Sequence, residues 1–152
     1  MSLVSAGVAS EAVDAWGAVS ADTSDGGRDH ASRNSYRFHG NLGYDVTDTV
    51  ETRFYLSLND IDQELPGALT LSDALNNPTK GNFVGDQARD IKSIRVQNQT
   101  RIALGEGELA IGAFLNDKEL FHPIFQVIDQ QSRNYGAFGR FVLDPDPQRQ
   151  AA

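Results

Sequence analysis

The side chains best suited to chemistry are arginines and aromatic rings that fall, in sequence, around the ends of long polar stretches. Arg28, Arg33, Arg89 and Arg133 offer planar guanidinium forks, and Phe121, Phe125 and Tyr135 offer ring faces. Groups of this kind hold anionic, aromatic ligands through paired hydrogen bonds and stacking. The expected ligand contacts are Arg28, Arg33, Phe121, His122, Arg133 and Tyr135. The plainer reading is that loop arginines pair with loop acids, while Phe121, Ile124 and Phe125 pack a loop onto itself.

Catalysis finds less support. His30, His39 and His122 are scattered over separate segments with no pair at metal-ligand spacing. Asp29-His30 lies near several serines, but no Gly-x-Ser-x-Gly elbow follows. We therefore expect a non-enzyme with no catalytic residues, no metal and no cofactor. Asp60, Asp62 and Glu64 alternate, so an extended chain would place three carboxylates on one side. Oxygen ligands of that sort can hold calcium, yet the spacing is not that of an EF-hand, and solvated strand ends are the better reading. Asn98-Gln99-Thr100 matches a glycosylation acceptor formally but falls in the middle of an expected strand. A net charge of -8 argues against nucleic acid as a partner, and the absence of cysteine removes disulfide and thiolate chemistry.

The elements that must carry these residues are strands. In "SYRFHGNLGY", Tyr36, Phe38, Gly40, Leu42 and Tyr44 share one face, and Arg37, His39, Asn41 and Gly43 share the other. "ETRFYLSLND" repeats the pattern, with Phe54, Leu56 and Leu58 set against Arg53, Tyr55, Ser57 and Asn59. "KSIRVQNQTRIAL", "LAIGAFLND", "SRNYGAFGRFVLD" and a weaker "VDAWGAVSAD" bring the expected count to about six antiparallel strands. Their connections alternate: "SDGGRDHASRN" long, "DVTDTV" short, Ile61 to Asp90 very long, "GEGE" short, "KELFHPIFQVIDQQ" long. An up-and-down meander then gathers the short turns at one end and the long loops at the other, as outer-membrane barrels do. The very long interruption, "DIDQELPGALTLSDALNNPTKGNF", is punctuated by Pro66-Gly67 and Asn77-Pro78 and becomes an ordered loop at the open end. Tyr36 and Tyr44 would stand roughly 20 Å apart along the membrane normal, close to the spacing of aromatic girdles. No run of about 18 apolar residues is present, which rules out a transmembrane helix but not a barrel.

"GAVSADTSDGGRDHASRNSYRFHGNLGY", "ETRFYLSLNDIDQELPGALT", "NNP", "KELFHPIF", "VIDQQSRNYG" and "GRF" resemble the β-barrel region of TonB-dependent outer-membrane receptors, particularly the siderophore-receptor type. The resemblance extends over roughly Ala12 to Phe141; its most specific parts are "DQELPGALT" and "HPIF...ID...SRNYG". It implies a barrel of 22 strands filled by a plug, set in outer-membrane lipid and driven by the TonB complex, which takes up a ferric siderophore or similarly scarce ligand. Against that pattern the chain shows no plug, no TonB box and no signal peptide. The expectation is therefore a partial barrel at 12–143, followed by a disordered tail at 144–152, with the TonB complex engaged only through the missing plug. From a different class, a soluble β-sandwich binding or adhesion module would use the same alternation with its apolar face turned inward.

Overall fold

The computed structural model describes residues 1–143; the tail expected to be disordered, 144–152, lies outside the described residues. Seven strands run in chain order: β1 (Ser2–Ala9), β2 (Val13–Ser24), β3 (Arg33–Thr47), β4 (Val50–Gln63), β5 (Asp90–Leu104), β6 (Gly107–Pro123) and β7 (Val127–Leu143), with one short helix, α1 (Leu71–Asn76), between β4 and β5. Each strand pairs antiparallel with the next, giving one open up-and-down sheet in the order β1 to β7. The all-β antiparallel meander read from the sequence is the observed fold. One strand more than expected is present: β1, whose "SLVSAGVA" is built of small residues too weakly contrasted to announce a strand.

The connections fall at two ends. Ser10–Ala12, Asp48–Thr49 and Gly105–Glu106 close one end, and Gly105 takes the positive φ of 62° that a two-residue hairpin loop needs there. At the other end lie the connections 25–32, 64–89 and 124–126. The last of these differs from expectation. "KELFHPIFQVIDQQ" is a loop only at its three-residue tip, because β6 and β7 stay paired as far as Pro123 and Val127. Its polar residues look loop-like only if a strand must carry an apolar face. Here the hairpin runs beyond the apolar zone, where both faces can be polar.

The ladder registers set the expected faces side by side. Phe38 stands opposite Leu58, which stands opposite Ile94; Leu42 faces Phe54, and Leu56 faces Val96. β6 and β7 extend this surface with Leu109, Ile111 and Leu115 against Phe141, Gly139 and Tyr135. No second layer covers it among the described residues. Leu42, Phe54, Ile94, Ile111 and Phe141 are all exposed, and Tyr135 is 78% exposed. The residues that are buried within the sheet, Ala18, Ser35, Gly43 and Ala110, lie on the opposite, polar face. This inverts the usual arrangement of a water-soluble protein, which buries the apolar side of its sheet.

Candidate functional site

At the long-loop end, the β2–β3 and β4–β5 connections are fastened to each other. Arg28 donates from Nε to the Lys80 carbonyl at 3.0 Å and from Nη2 to the Pro66 carbonyl at 3.2 Å. The His30 ring stacks on Phe83 with centroids 4.2 Å apart, and its Nε2 donates to the Gln87 carbonyl at 2.8 Å. Glu64 accepts from the Ser32 backbone N–H at 3.1 Å, and the Glu64 N–H returns a bond to the Ser32 carbonyl at 2.9 Å. Hydrogen bonds from the Ser32 hydroxyl and backbone N–H, with a smaller electrostatic contribution from the nearby His30 ring, hold the Glu64 carboxyl below the usual range. Gly67, at φ 69°, allows the turn after Pro66; a Cβ there would collide with the Asn82 carbonyl. Thr70 caps α1 by accepting from the Asp73 N–H, and Lys80 reaches back to Asp73 at 3.1 Å. The long interruption is thus an ordered cap fastened to the β2–β3 connection at the long-loop end of the sheet.

The six expected contact residues are divided rather than gathered. Arg28 is spent on the carbonyls that brace the loops. Arg33 lies on the polar face with its guanidinium 3.9 Å from Asp22. His122 also faces that side, bonded through Nδ1 to the Ala88 carbonyl at 2.6 Å. Phe121, Arg133 and Tyr135 project from the apolar face, with Arg133 donating from Nε to Asp117 at 2.7 Å. Phe121 and His122 belong to β6 and not to a loop. Of the further candidates, Arg89 bonds Gln63 at 2.7 Å, and Phe125 stands free at the hairpin tip. Asp60 and Asp62 lie on the outer, apolar side beyond its last leucine, while Glu64 is held by Ser32. Among the described residues no three His, Asp or Glu side chains gather where a metal could sit.

The polar face carries the connected chemistry. Near the short-turn end, Arg53 on β4 reaches across β3 to Asp14 on β2, donating twice at 2.6 Å, and also bonds Asn41 at 2.7 Å and Glu51 at 3.1 Å. Asp14, Gly43 and Arg53 stand in one row, and a side chain at Gly43 would block the pairing. This bidentate bridge ties three strands together on a side that has no hydrophobic core.

Toward the long-loop end of the same face, two successive rows contain no acid. One row runs Ser20, Arg37, Asn59, Ser93, Lys118, Ser132; the next runs Ala18, His39, Ser57, Arg95, Asn116, Asn134. Among the described residues, Arg37, Arg95 and Lys118 form no salt bridge, whereas Arg33, Arg53, Arg101, Arg133 and Arg140 each do. Asn59 donates to Ser93 at 3.1 Å, and His39 bonds Ser57 at 3.0 Å, so the amides and hydroxyls between the cations are already oriented. Arg95 lines a depression of ≈ 360 Å³ together with Gln97, Phe114, Asn116 and Asn134. No protein-family model matches the chain, and no curated protein sequence matches it significantly. Alternation in the sequence already put Arg37 and Arg95 on the wet side of their strands. What it lacked was the register that brings them into adjoining rows with Lys118.

Proposed function

We propose that the chain forms part of the wall of a transmembrane β-barrel of the TonB-dependent receptor kind, set in outer-membrane lipid and contributing to uptake of a ferric siderophore or similarly scarce ligand. In this reading the apolar face meets hydrocarbon, the polar face lines a watery interior, and the capped long-loop end faces outward. The TonB complex would act on such a wall only through a plug segment.

The observation that carries the reading is the slant of the apolar zone across the ladders. Its upper margin is Tyr36 in β3, Leu58 in β4, Ile94 in β5, Leu115 in β6 and Tyr135 in β7, each followed by a polar residue: Asn34, Asp60, Lys92, Asp117 and Arg133. Leu115 and Tyr135 lie in the row of Gly40, four residues further along β3 than Tyr36. The boundary therefore slips by about one residue per strand. With a rise of about 3.3 Å per residue and strands about 4.8 Å apart, that slope corresponds to strands tilted roughly 35° from the normal of a flat apolar slab. Strands of membrane barrels tilt by about 35–45°. A soluble sheet has no reason to trim its apolar face along one slanted line. The margins also carry rings, Tyr36 and Tyr135 above and Tyr44 and Phe141 below, where aromatic girdles belong.

A chain built this way needs hydrocarbon to fold. Refolded from denaturant into detergent micelles or phospholipid vesicles, it should acquire β structure by circular dichroism, and it should aggregate when diluted into buffer alone. A monodisperse, β-rich monomer in plain buffer would contradict the proposal.

A further inference from the structure

We infer that the two acid-free rows of the polar face bind a ligand bearing several anionic groups, with Arg37, Arg95 and Lys118 as the cations that meet it. The inference rests on the barrel-wall reading, in which that face borders water while the other meets hydrocarbon.

Charge distribution makes the first argument. The chain carries a net charge of -8, so a surface chosen at random would be rich in carboxylates. In the upper half of the sheet those carboxylates are on the other side: Asp60, Asp62, Asp90, Asp117, Glu119 and Asp129 all project from the apolar side or its polar margin. The acids of the polar face, Asp14, Asp45, Glu51 and Glu108, sit toward the short turns, and Asp22 lies one row above the belt on β2, against Arg33 and the chain's amino terminus. Three cations that form no salt bridge among the described residues of an otherwise acidic molecule make a local positive field that attracts anions.

Spacing makes the second. Arg37 and Lys118 share a row three strands apart, about 14 Å between backbones, and Arg95 lies in the next row between them, roughly 8 Å from Lys118 and 12 Å from Arg37. Long side chains can close much of that gap, but all three cannot meet on one small monoanion. They suit a ligand whose charges are themselves spread over several ångströms. Asn59, Ser93 and Asn116 fill positions around the cations, and Ser132 and Asn134 flank them on β7, all with donors that can serve carbonyl or hydroxyl oxygens, and the Phe114 ring lines the depression beside Arg95. A polycarboxylate, or a metal chelate of net negative charge, has this chemistry.

The test uses the full chain in micelles or vesicles, with citrate as the polyanionic probe and acetate as the monoanionic comparison. Citrate should bind at least about tenfold more tightly than acetate, and its affinity should fall as salt is raised. Replacing Arg37, Arg95 and Lys118 together by glutamine should weaken citrate binding by roughly tenfold or more, while Arg133→Gln on the opposite face leaves it unchanged. If the triple variant does not fold, Arg95→Gln and Arg95→Lys carry the comparison: the first should weaken binding and the second, which keeps the charge, should retain it. No preference for citrate, or equal binding without the three cations, overturns the inference. Insertion is read separately, from protection of the apolar face against an aqueous label. A chain that inserts but ignores citrate defeats this inference alone, whereas one that remains in water defeats the barrel reading.

Discussion

Arginine in place of Leu42 or Leu56 should impair assembly into a bilayer. Both residues lie mid-zone on the apolar face: Leu42 opposite Phe54, and Leu56 between Gly40 and Val96. Neither has a carboxylate beside it in its row, and the polar margin at Asp60 and Lys92 is four residues along β4 from Leu56. A guanidinium there would sit in hydrocarbon, at a cost of about 2–4 kcal/mol per substitution near the bilayer midplane. The double variant should therefore fold into vesicles with its urea midpoint sharply reduced, or fail to fold at all. Ser57→Arg, one residue away on the polar face, should be tolerated. Assembly of the leucine variants equal to that of Ser57→Arg would mean that the leucines do not face lipid.

The loop cap gives the second large effect. Gly67 holds φ 69° directly after Pro66, whose carbonyl accepts from the Asn82 N–H at 2.7 Å and from Arg28. Valine at this position suffers twice, since a β-branched residue resists a left-handed backbone and its Cβ would run into the Asn82 carbonyl. Strain of about 1–3 kcal/mol is expected, which corresponds to roughly 5- to 150-fold faster hydrogen exchange if the cap opens to relieve it. The amides of Leu65 and Asn82, which bond within the β4–β5 connection, and of Asp29, which bonds across to Thr79, are the reporters. Amides in the middle of β5 and β6 should not change. Unchanged exchange at Asn82 would show that the cap does not depend on this turn.

Much of the fold was legible because a strand's two faces differ every second residue, and that difference survives in β3, β4 and β5 without any tertiary knowledge. Where side chains are small, as in Ser2–Ala9, the contrast fades and the strand goes unseen. Where a hairpin extends past the apolar zone, as at Lys118–Gln131, both faces mix polar and apolar residues and the same rule reads loop. The expected contact set failed to gather for a related reason. Arg133 and Tyr135 lie near a loop in sequence, but their odd positions in β7 align them with Ala137 and Phe141 on the apolar side. The belt of Arg37, Arg95 and Lys118 depends on pairing across three ladders. Two of the offsets are fixed by hairpin turns, but the offset between β4 and β5 follows a 26-residue connection, from Glu64 to Arg89, that no alternation rule spans.

The central claim concerns which side of the sheet meets hydrocarbon, and the chain's lack of cysteine makes it directly measurable. Single cysteines placed at each position from Phe54 to Asn59, spin-labelled in vesicle-inserted protein, report collisions with oxygen, which partitions into lipid, and with a water-soluble relaxation agent. The account predicts strict alternation: labels at 54, 56 and 58 relaxed by oxygen, and labels at 55, 57 and 59 relaxed by the aqueous agent. Uniform aqueous accessibility, or alternation of the opposite phase, would contradict it.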